Sequence, residues 1–175
     1  MRPPFMLLAA LLSIQPLAAV PDTAIEALLD RAFGADRRGR TAYKVRGAAR
    51  AIPALSFAAL EGETLIGSIQ CWPVRFAADA GEATPLVMVG PVAVEPERQR
   101  DGVGQRLMQA ALGAAAREDL DDRLVLIGDP EYYERFFGFS AARTGGWRLP
   151  GPVERHRLLA RGVAIPAAAG VLGPA

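Results

Sequence analysis

VGPVAVEPERQRDGVGQRLMQAAL, residues 89–112, is the stretch on which the fold turns. A Val-rich apolar run ends in Glu95-Pro96-Glu97-Arg98 and passes through Gln99-Arg100-Asp101-Gly102-Val103-Gly104. Val103, Leu107, Ala110, Ala111 and Ala114 then recur at helical spacing, so residues 103–118 read as an amphipathic helix. Residues 86–94 read as a mostly buried strand interrupted by Gly90-Pro91. Proline donates nothing to a ladder, so the strand must bulge or lose a partner there. A strand, a glycine turn and a helix start leave several N–H groups aimed at one place, and the helix dipole adds partial positive charge. Gly102 and Gly104 carry no side chain, so a phosphate can approach that backbone closely. Arg98, Arg100 and Arg106 are near enough in sequence to add charge. By pattern alone, an anion cradle and a plain permissive turn stand equally open.

Working outward, residues 124–127 read as another buried strand. Asp129-Pro130-Glu131 is a strong helix start, with Asp as cap, Pro in the first position and an acid in the first turn. That helix holds Tyr132 to Phe136 and ends at Gly138. Residues 147–161 give a last strand or two, and residues 162–175 read as a C-terminal tail. On the other side, residues 55–60 and Thr64 to Val74 form a hairpin around Glu61-Gly62-Glu63, followed by a loop at 77–85. Residues 35–53 are basic and read as a short helix and a loop on the substrate side. Thr23-Ala24-Ile25-Glu26 fits a capping box for a helix with Ile25, Leu28, Leu29 and Ala32 on one face, closed by Gly34. Residues 11–17 read as a first strand after a leader, 1–10. The alternative is a secretory signal, since the chain starts basic, runs apolar and has small residues at Ala18 and Ala19.

The totals narrow the choices. A chain of 175 residues suits one domain, and 51% hydrophobic residues argue against disorder. A net charge of +1 gives no pull toward nucleic acid or an anionic membrane. The apolar N-terminus is too short, and too interrupted by Pro16, to span a membrane. Cys71 is the only cysteine, which fits a reducing compartment, so a cytoplasmic location is expected. His156 is the only histidine and the acids are not clustered at ligand spacing, so no metal site is expected.

Two phosphate-binding patterns are excluded. A Walker loop needs Gly-Lys-Ser/Thr, and Gly104 is followed by Gln105-Arg106. A dinucleotide fingerprint needs a third glycine where Leu107 stands. Strand, charged turn, Gln-x-x-Gly-x-Gly and helix resemble the acetyl-CoA motif of the GNAT N-acetyltransferase superfamily. DPEYYERFFGF is similar to the family's later helix, IEALLDRAFG to its first, and the hairpin at 55–74 to its second and third strands. The resemblance covers about residues 11–140.

The resemblance implies a single α/β domain over residues 11–161, with a mixed, mostly antiparallel sheet whose central strands splay apart, flanked by helices. Val92, Ala93 and Val94 would bond pantetheine through their backbone. Gln99, Arg100, Asp101, Gly102, Val103 and Gly104 would wrap the pyrophosphate, with Gln105 beginning the helix. The activity implied is acetyl transfer from acetyl-CoA to an amine by direct attack on the thioester. An acyl-CoA-binding regulatory module without catalysis is the other reading. The partners implied are acetyl-CoA and an amine acceptor, with a homodimer allowed.

Acetyl transfer needs a neutral amine, donors for the carbonyl oxygen and stabilisation of the leaving thiolate. The family's acid is a tyrosine on the helix after the fifth strand, which points to Tyr133, with Tyr132 behind it. Buried packing is the other role open to both. The family's tyrosine stands four residues before the Gly of Gly-Phe, where this chain has Glu134, and an inserted Phe136 or Phe137 accounts for the shift. No general base stands out, since Glu95 suits a structural role in the turn. An acyl-cysteine route through Cys71 and His156 is disfavoured, because nothing brings the two together. Trp72, Arg75 and the basic segment 37–50 are candidates for the acceptor pocket. Arginines there would favour an acceptor bearing a carboxylate or phosphate, or would simply be solvated.

Overall fold

The computed structural model describes residues 11–175; the expected leader, 1–10, lies outside them. β1 (Leu12–Pro16) is followed by α1 (Asp22–Phe33), α2 (Thr41–Arg46), β2 (Phe57–Glu61), β3 (Thr64–Ala78) and β4 (Ala83–Val94). The chain continues through α3 (Val103–Arg117), β5 (Leu124–Ile127), α4 (Pro130–Phe137), β6 (Trp147–Arg148), β7 (Leu158–Arg161) and β8 (Gly170–Pro174). The main sheet runs β1-β2-β3-β4-β5-β7 and is antiparallel except between β4 and β5. The open, mostly antiparallel sheet flanked by helices is therefore as expected.

Helices cover both faces of the sheet. Val103, Leu107, Met108 and Ala111 of α3 are buried with Ile69, Val87, Val89 and Leu126. On the opposite face Leu28 and Leu29 of α1 pack with Ala58 and Ala93, and Val45 of α2 packs with Trp72, Phe76 and Trp147. α3 lies close to the sheet because β3 offers Gly67: a Cβ there would stand 2.9 Å from Val103 Cγ1 and 3.0 Å from Leu107 Cδ1.

Three expectations change. Residues 162–175 are not a loose tail, because β8 pairs antiparallel with the far end of β3 and parallel with β6. The loop at 77–85 shrinks to a tight turn, since β3 runs on to Ala78 and β4 starts at Ala83. The capping box does not form. Pro21 occupies the cap position of α1 without a side-chain bond, and Glu26 binds Arg37 and Arg38 instead.

Candidate functional site

The central feature is a wedge. β4 and β5 pair only at Val87 with Leu124 and Met88 with Val125, then separate. A cleft of about 1250 Å³ opens there, with Val89, Gly90, Pro91 and Val92 on one wall and Leu126, Ile127, Gly128 and Tyr133 on the other. The bulge expected at Gly90-Pro91 lies at its apex. Ile69 opposes Val92 and Cys71 opposes Val89, so a single β3 residue faces both Gly90 and Pro91. The Trp72 indole N–H donates to the Gly90 carbonyl at 2.8 Å and fixes the bulge.

Past the bulge, the ladder decides which backbone groups meet the wedge. The Glu95 N–H donates to the Ile66 carbonyl at 2.8 Å, and Ala93 pairs with Ser68. Alternate residues of an antiparallel strand turn both backbone groups to the same neighbour. Ala93 therefore bonds β3, and its methyl packs beneath α1. Val92 and Val94 turn their backbone to the side from which β5 has departed. Of the three residues expected to hold pantetheine, these two have backbone groups turned away from β3, whereas those of Ala93 are taken up by it.

The turn before α3 presents its backbone. Arg100 and Gly102 both have left-handed φ, +77° and +79°. The Arg106 N–H bonds the Gly102 carbonyl at 3.1 Å, and no side chain caps the helix start. The N–H groups of Val103, Gly104 and Gln105 thus have no acceptor within the helix. A Cβ on Gly104 would lie 3.7 Å from both Val92 Cγ1 and Val94 Cγ2, so the helix start stands directly over the wedge-facing residues. The Val103 side chain is buried in the core, which leaves only its backbone for a ligand. Gln99 lines the cleft and its amide approaches the Val94 carbonyl at 3.5 Å.

The arginines of the turn divide. Arg98 is engaged by Glu61 and by Asp101, the latter at 2.8 Å, so the Asp101 carboxylate is taken up by Arg98. Arg106 reaches the Leu12 carbonyl at 3.4 Å. Arg100 is the one that lines the cleft.

α4 supplies the tyrosines. Asp129 caps it by accepting from the Glu131 N–H at 3.0 Å, and Gly138 closes it with φ +72°. Tyr132 and Tyr133 both line the cleft, their rings edge to face with centroids 4.9 Å apart. Burial pushes the Tyr133 phenol up to about 12, with Tyr132 and Asp129 acting the same way and Arg157 opposing. Burial also raises Tyr132. Of the two phenylalanines that follow, Phe137 is core and Phe136 is 49% exposed, so Phe136 is the residue the core does not require.

Other candidates fall into structural roles. Glu95 holds Arg31 of α1 through both carboxylate oxygens. Cys71 is in the core, where burial pushes its thiol up to about 12, while His156 sits on an exposed turn 3.5 Å from Glu154. No group of three or more His, Cys, Asp or Glu able to hold a metal occurs among the described residues.

Opposite the α3 end, the cleft is lined by Arg37, Tyr43 and Arg46 from the basic segment, with Glu154 and Arg157 beyond. Arg37 is buried and bonds Asp30 at 2.9 Å, Glu26 and the Tyr43 hydroxyl. Arg46 stacks between two rings, 3.7 Å from the Tyr43 centroid and 3.9 Å from that of Trp72. Arg75 is exposed and is not part of the cleft wall, contrary to expectation. The Arg46 sandwich escaped sequence reasoning, since only the fold brings Trp72 to α2.

A family model described as "Acetyltransferase (GNAT) family" matches residues 23–139. No curated protein matches the chain. Among solved structures, the GNAT family N-acetyltransferase YhbS of Escherichia coli, in complex with CoA, is 23% identical with a TM-score of 0.69. That alignment covers 95% of this chain and 90% of YhbS. A GNAT family acetyltransferase of Brucella melitensis, in complex with acetyl-CoA, is 25% identical with a TM-score of 0.57, over 89% of this chain and 98% of its own. The protein PH1933 of Pyrococcus horikoshii shares the fold at 16% identity and a TM-score of 0.53, over 87% and 99%.

Proposed function

Because the chain belongs to the GNAT acetyltransferase family, we propose that it transfers the acetyl group of acetyl-CoA to an amine at the apex of the wedge. The observation that carries this reading is the uncapped start of α3 standing over the wedge-facing backbone of Val92 and Val94. Three N–H groups without acceptors, at a helix's positive end, suit a pyrophosphate. Gln99 to Gly104 wrap it through their backbone, Arg100 adds charge and Gln105 lies in the helix's first turn. Val92 and Val94 offer an unpaired strand edge to the amide-bearing pantetheine arm. Bound CoA and acetyl-CoA in the Escherichia coli and Brucella melitensis relatives support the same co-substrate.

The amine nitrogen forms a bond to the thioester carbonyl carbon, and the carbon–sulfur bond breaks. The attacking amine loses its proton to solvent, and the sulfur leaves as a thiolate. The Val92 N–H, first past the bulge, is the donor we assign to the carbonyl oxygen as it becomes anionic. Tyr133 faces the leaving sulfur. A phenol at about 12 is a weaker acid than a thiol at about 8.5. Tyr133 therefore keeps its proton and stabilises the thiolate by donating a hydrogen bond. Asp129 is occupied as a helix cap and serves poorly as a base.

Calorimetry with acetyl-CoA tests the reading, comparing the native protein with Gly104→Trp. Residue 104 is helical and a Cβ there meets Val92 and Val94 at ordinary contact distance, so a ring at this position is expected to fill the wedge, with the variant's fold checked by circular dichroism. Native binding lost in the folded variant is the expected result. No affinity of the native protein for any acyl-CoA overturns the reading. Tight binding with no turnover of any amine selects the non-catalytic module.

A further inference from the structure

Arg46 lies deep in the acceptor end of the cleft. It is 8% exposed, yet no carboxylate pairs with it among the described residues. The acid nearest in influence, Glu26, is already held by Arg37 and Arg38. Its guanidinium is flanked by the Tyr43 and Trp72 rings at 3.7 and 3.9 Å. Two rings against the guanidinium carbon cover much of the fork, so its N–H groups are the part able to meet a ligand. Tyr43 is held in turn by Arg37, and Trp72 by the Gly90 carbonyl. The cation is thus one indole ring away from the bulge at the wedge apex.

A buried charge without a partner is costly, and a bound anion removes that cost. Two aromatic rings compensate only part of it, since cation–π contacts are weaker than the desolvation of the charge they would offset. Arg46 also gives a guanidinium the planar geometry that grips an oxyanion through two N–H bonds.

We propose that the amine acceptor carries an oxyanion, a carboxylate or a phosphate, and that Arg46, clamped by Tyr43 and Trp72, is the specificity-determining residue that binds it. This rests on the acetyltransferase reading above. The amine then lies toward the bulge and the anion toward α2, so the acceptor has both groups within a few bonds of each other. Simple alkylamines and polyamines lack the second group and are poor acceptors.

The test is a CoA-release assay on matched pairs at saturating acetyl-CoA. Free α-amino acids are compared with their carboxamides, and O-phosphoethanolamine with ethanolamine. The anionic member of at least one pair is expected to have a kcat/KM roughly 10- to 100-fold above its neutral partner, the range of a charged hydrogen bond. Which pair responds tells carboxylate from phosphate. Arg46→Met is expected to bring the ratio to about 1, through KM, and Arg46→Lys to restore part of it. The acetyl-CoA Kd of each variant shows whether the cleft is intact. Equal use of anionic and neutral partners by the native protein overturns the proposal, whether or not the variants fold. So does a folded Arg46→Met that keeps the native ratio. If the native protein binds no acetyl-CoA, the acetyltransferase reading fails and this proposal falls with it, which calorimetry separates from the other outcomes.

Discussion

The Tyr133 ring fills the space that a side chain at Gly128 would need: a Cβ there would stand 2.4 Å from Tyr133 Cε2. Gly128 follows β5 and precedes the cap of α4, so the missing side chain lets the phenol lean over the wedge. Gly128→Ala should push the ring aside without touching any ligand-binding backbone. We expect kcat to drop about 10- to 100-fold, matching Tyr133→Phe, with the acetyl-CoA Kd within about twofold of native. A Gly128→Ala protein with native kcat would mean that the phenol's position does not matter.

Burial gives the same phenol a pH signature. Its pKa rises from about 10 to about 12 on folding, so the folded state holds the proton more tightly. The stabilisation from neutral Tyr133 is complete below pH 10 and is lost as pH climbs toward 12. As a hydrogen-bond donor, Tyr133 should impose no falling limb on kcat below about pH 11. The low-pH limb should follow deprotonation of whichever amine is used. A falling limb near pH 10 that disappears in Tyr133→Phe would contradict the raised value.

Cys71 should be chemically silent in the native protein. Its thiol is buried against Val87 and Val89 and raised to about 12, so almost none is thiolate at pH 8. An aromatic disulfide reagent should find no reactive thiol until denaturant is added, and then one per chain. A native protein that reacts at once, and loses activity as it does, would reopen the acyl-cysteine route.

Gly67 controls how closely α3 sits on the sheet. Beyond its contacts with Val103 and Leu107, a Cβ would stand 3.1 Å from the Ala93 carbonyl. Gly67→Val should cost about 1–3 kcal/mol as overpacking. It should also weaken acetyl-CoA binding, because the displaced helix start is the one we propose as the pyrophosphate cradle. Loss of stability with native affinity would mean that the helix end tolerates the shift.

Much of this was legible because it is local. The period of 3.6 in residues 103–118, the Asp129-Pro130 start and the Gly138 stop each carry their own physics, and each element formed where expected. The left-handed turn at Gly102 and the uncapped helix start after it were legible for the same reason. What the sequence hid depends on partners far along the chain. β8 offers only the adjacent Val171 and Leu172 between two glycines, and Val171 is 40% exposed, so it becomes a strand through the edge that β3 offers. Glu26 had the spacing of a capping box, but two arginines more than ten residues away compete for it. The bulge itself changes parity. Val87 and Val89 face α3 before it and Val92 and Val94 after it, which no fixed period of two reveals. Arg46 looked like one more surface cation until the fold laid Trp72 against it.

The Arg37 cluster yields an asymmetric prediction. Arg37 is 1% exposed, whereas its partners Glu26 and Asp30 are 47% and 44% exposed. Removing the arginine leaves two acids that water can solvate, so Arg37→Met should cost only about 1–2 kcal/mol. Removing both acids leaves a buried cation with only the Tyr43 hydroxyl, and Glu26→Gln with Asp30→Asn should cost about 3–5 kcal/mol. Denaturant unfolding of the two proteins gives the comparison directly. The milder variant has a further effect, because Arg37 holds Tyr43, which is one jaw of the clamp on Arg46. A folded Arg37→Met should therefore blunt the preference for anionic acceptors while leaving acetyl-CoA affinity in place. If the double acid variant proves no less stable than Arg37→Met, the burial of Arg37 is not what makes its ion pairs matter.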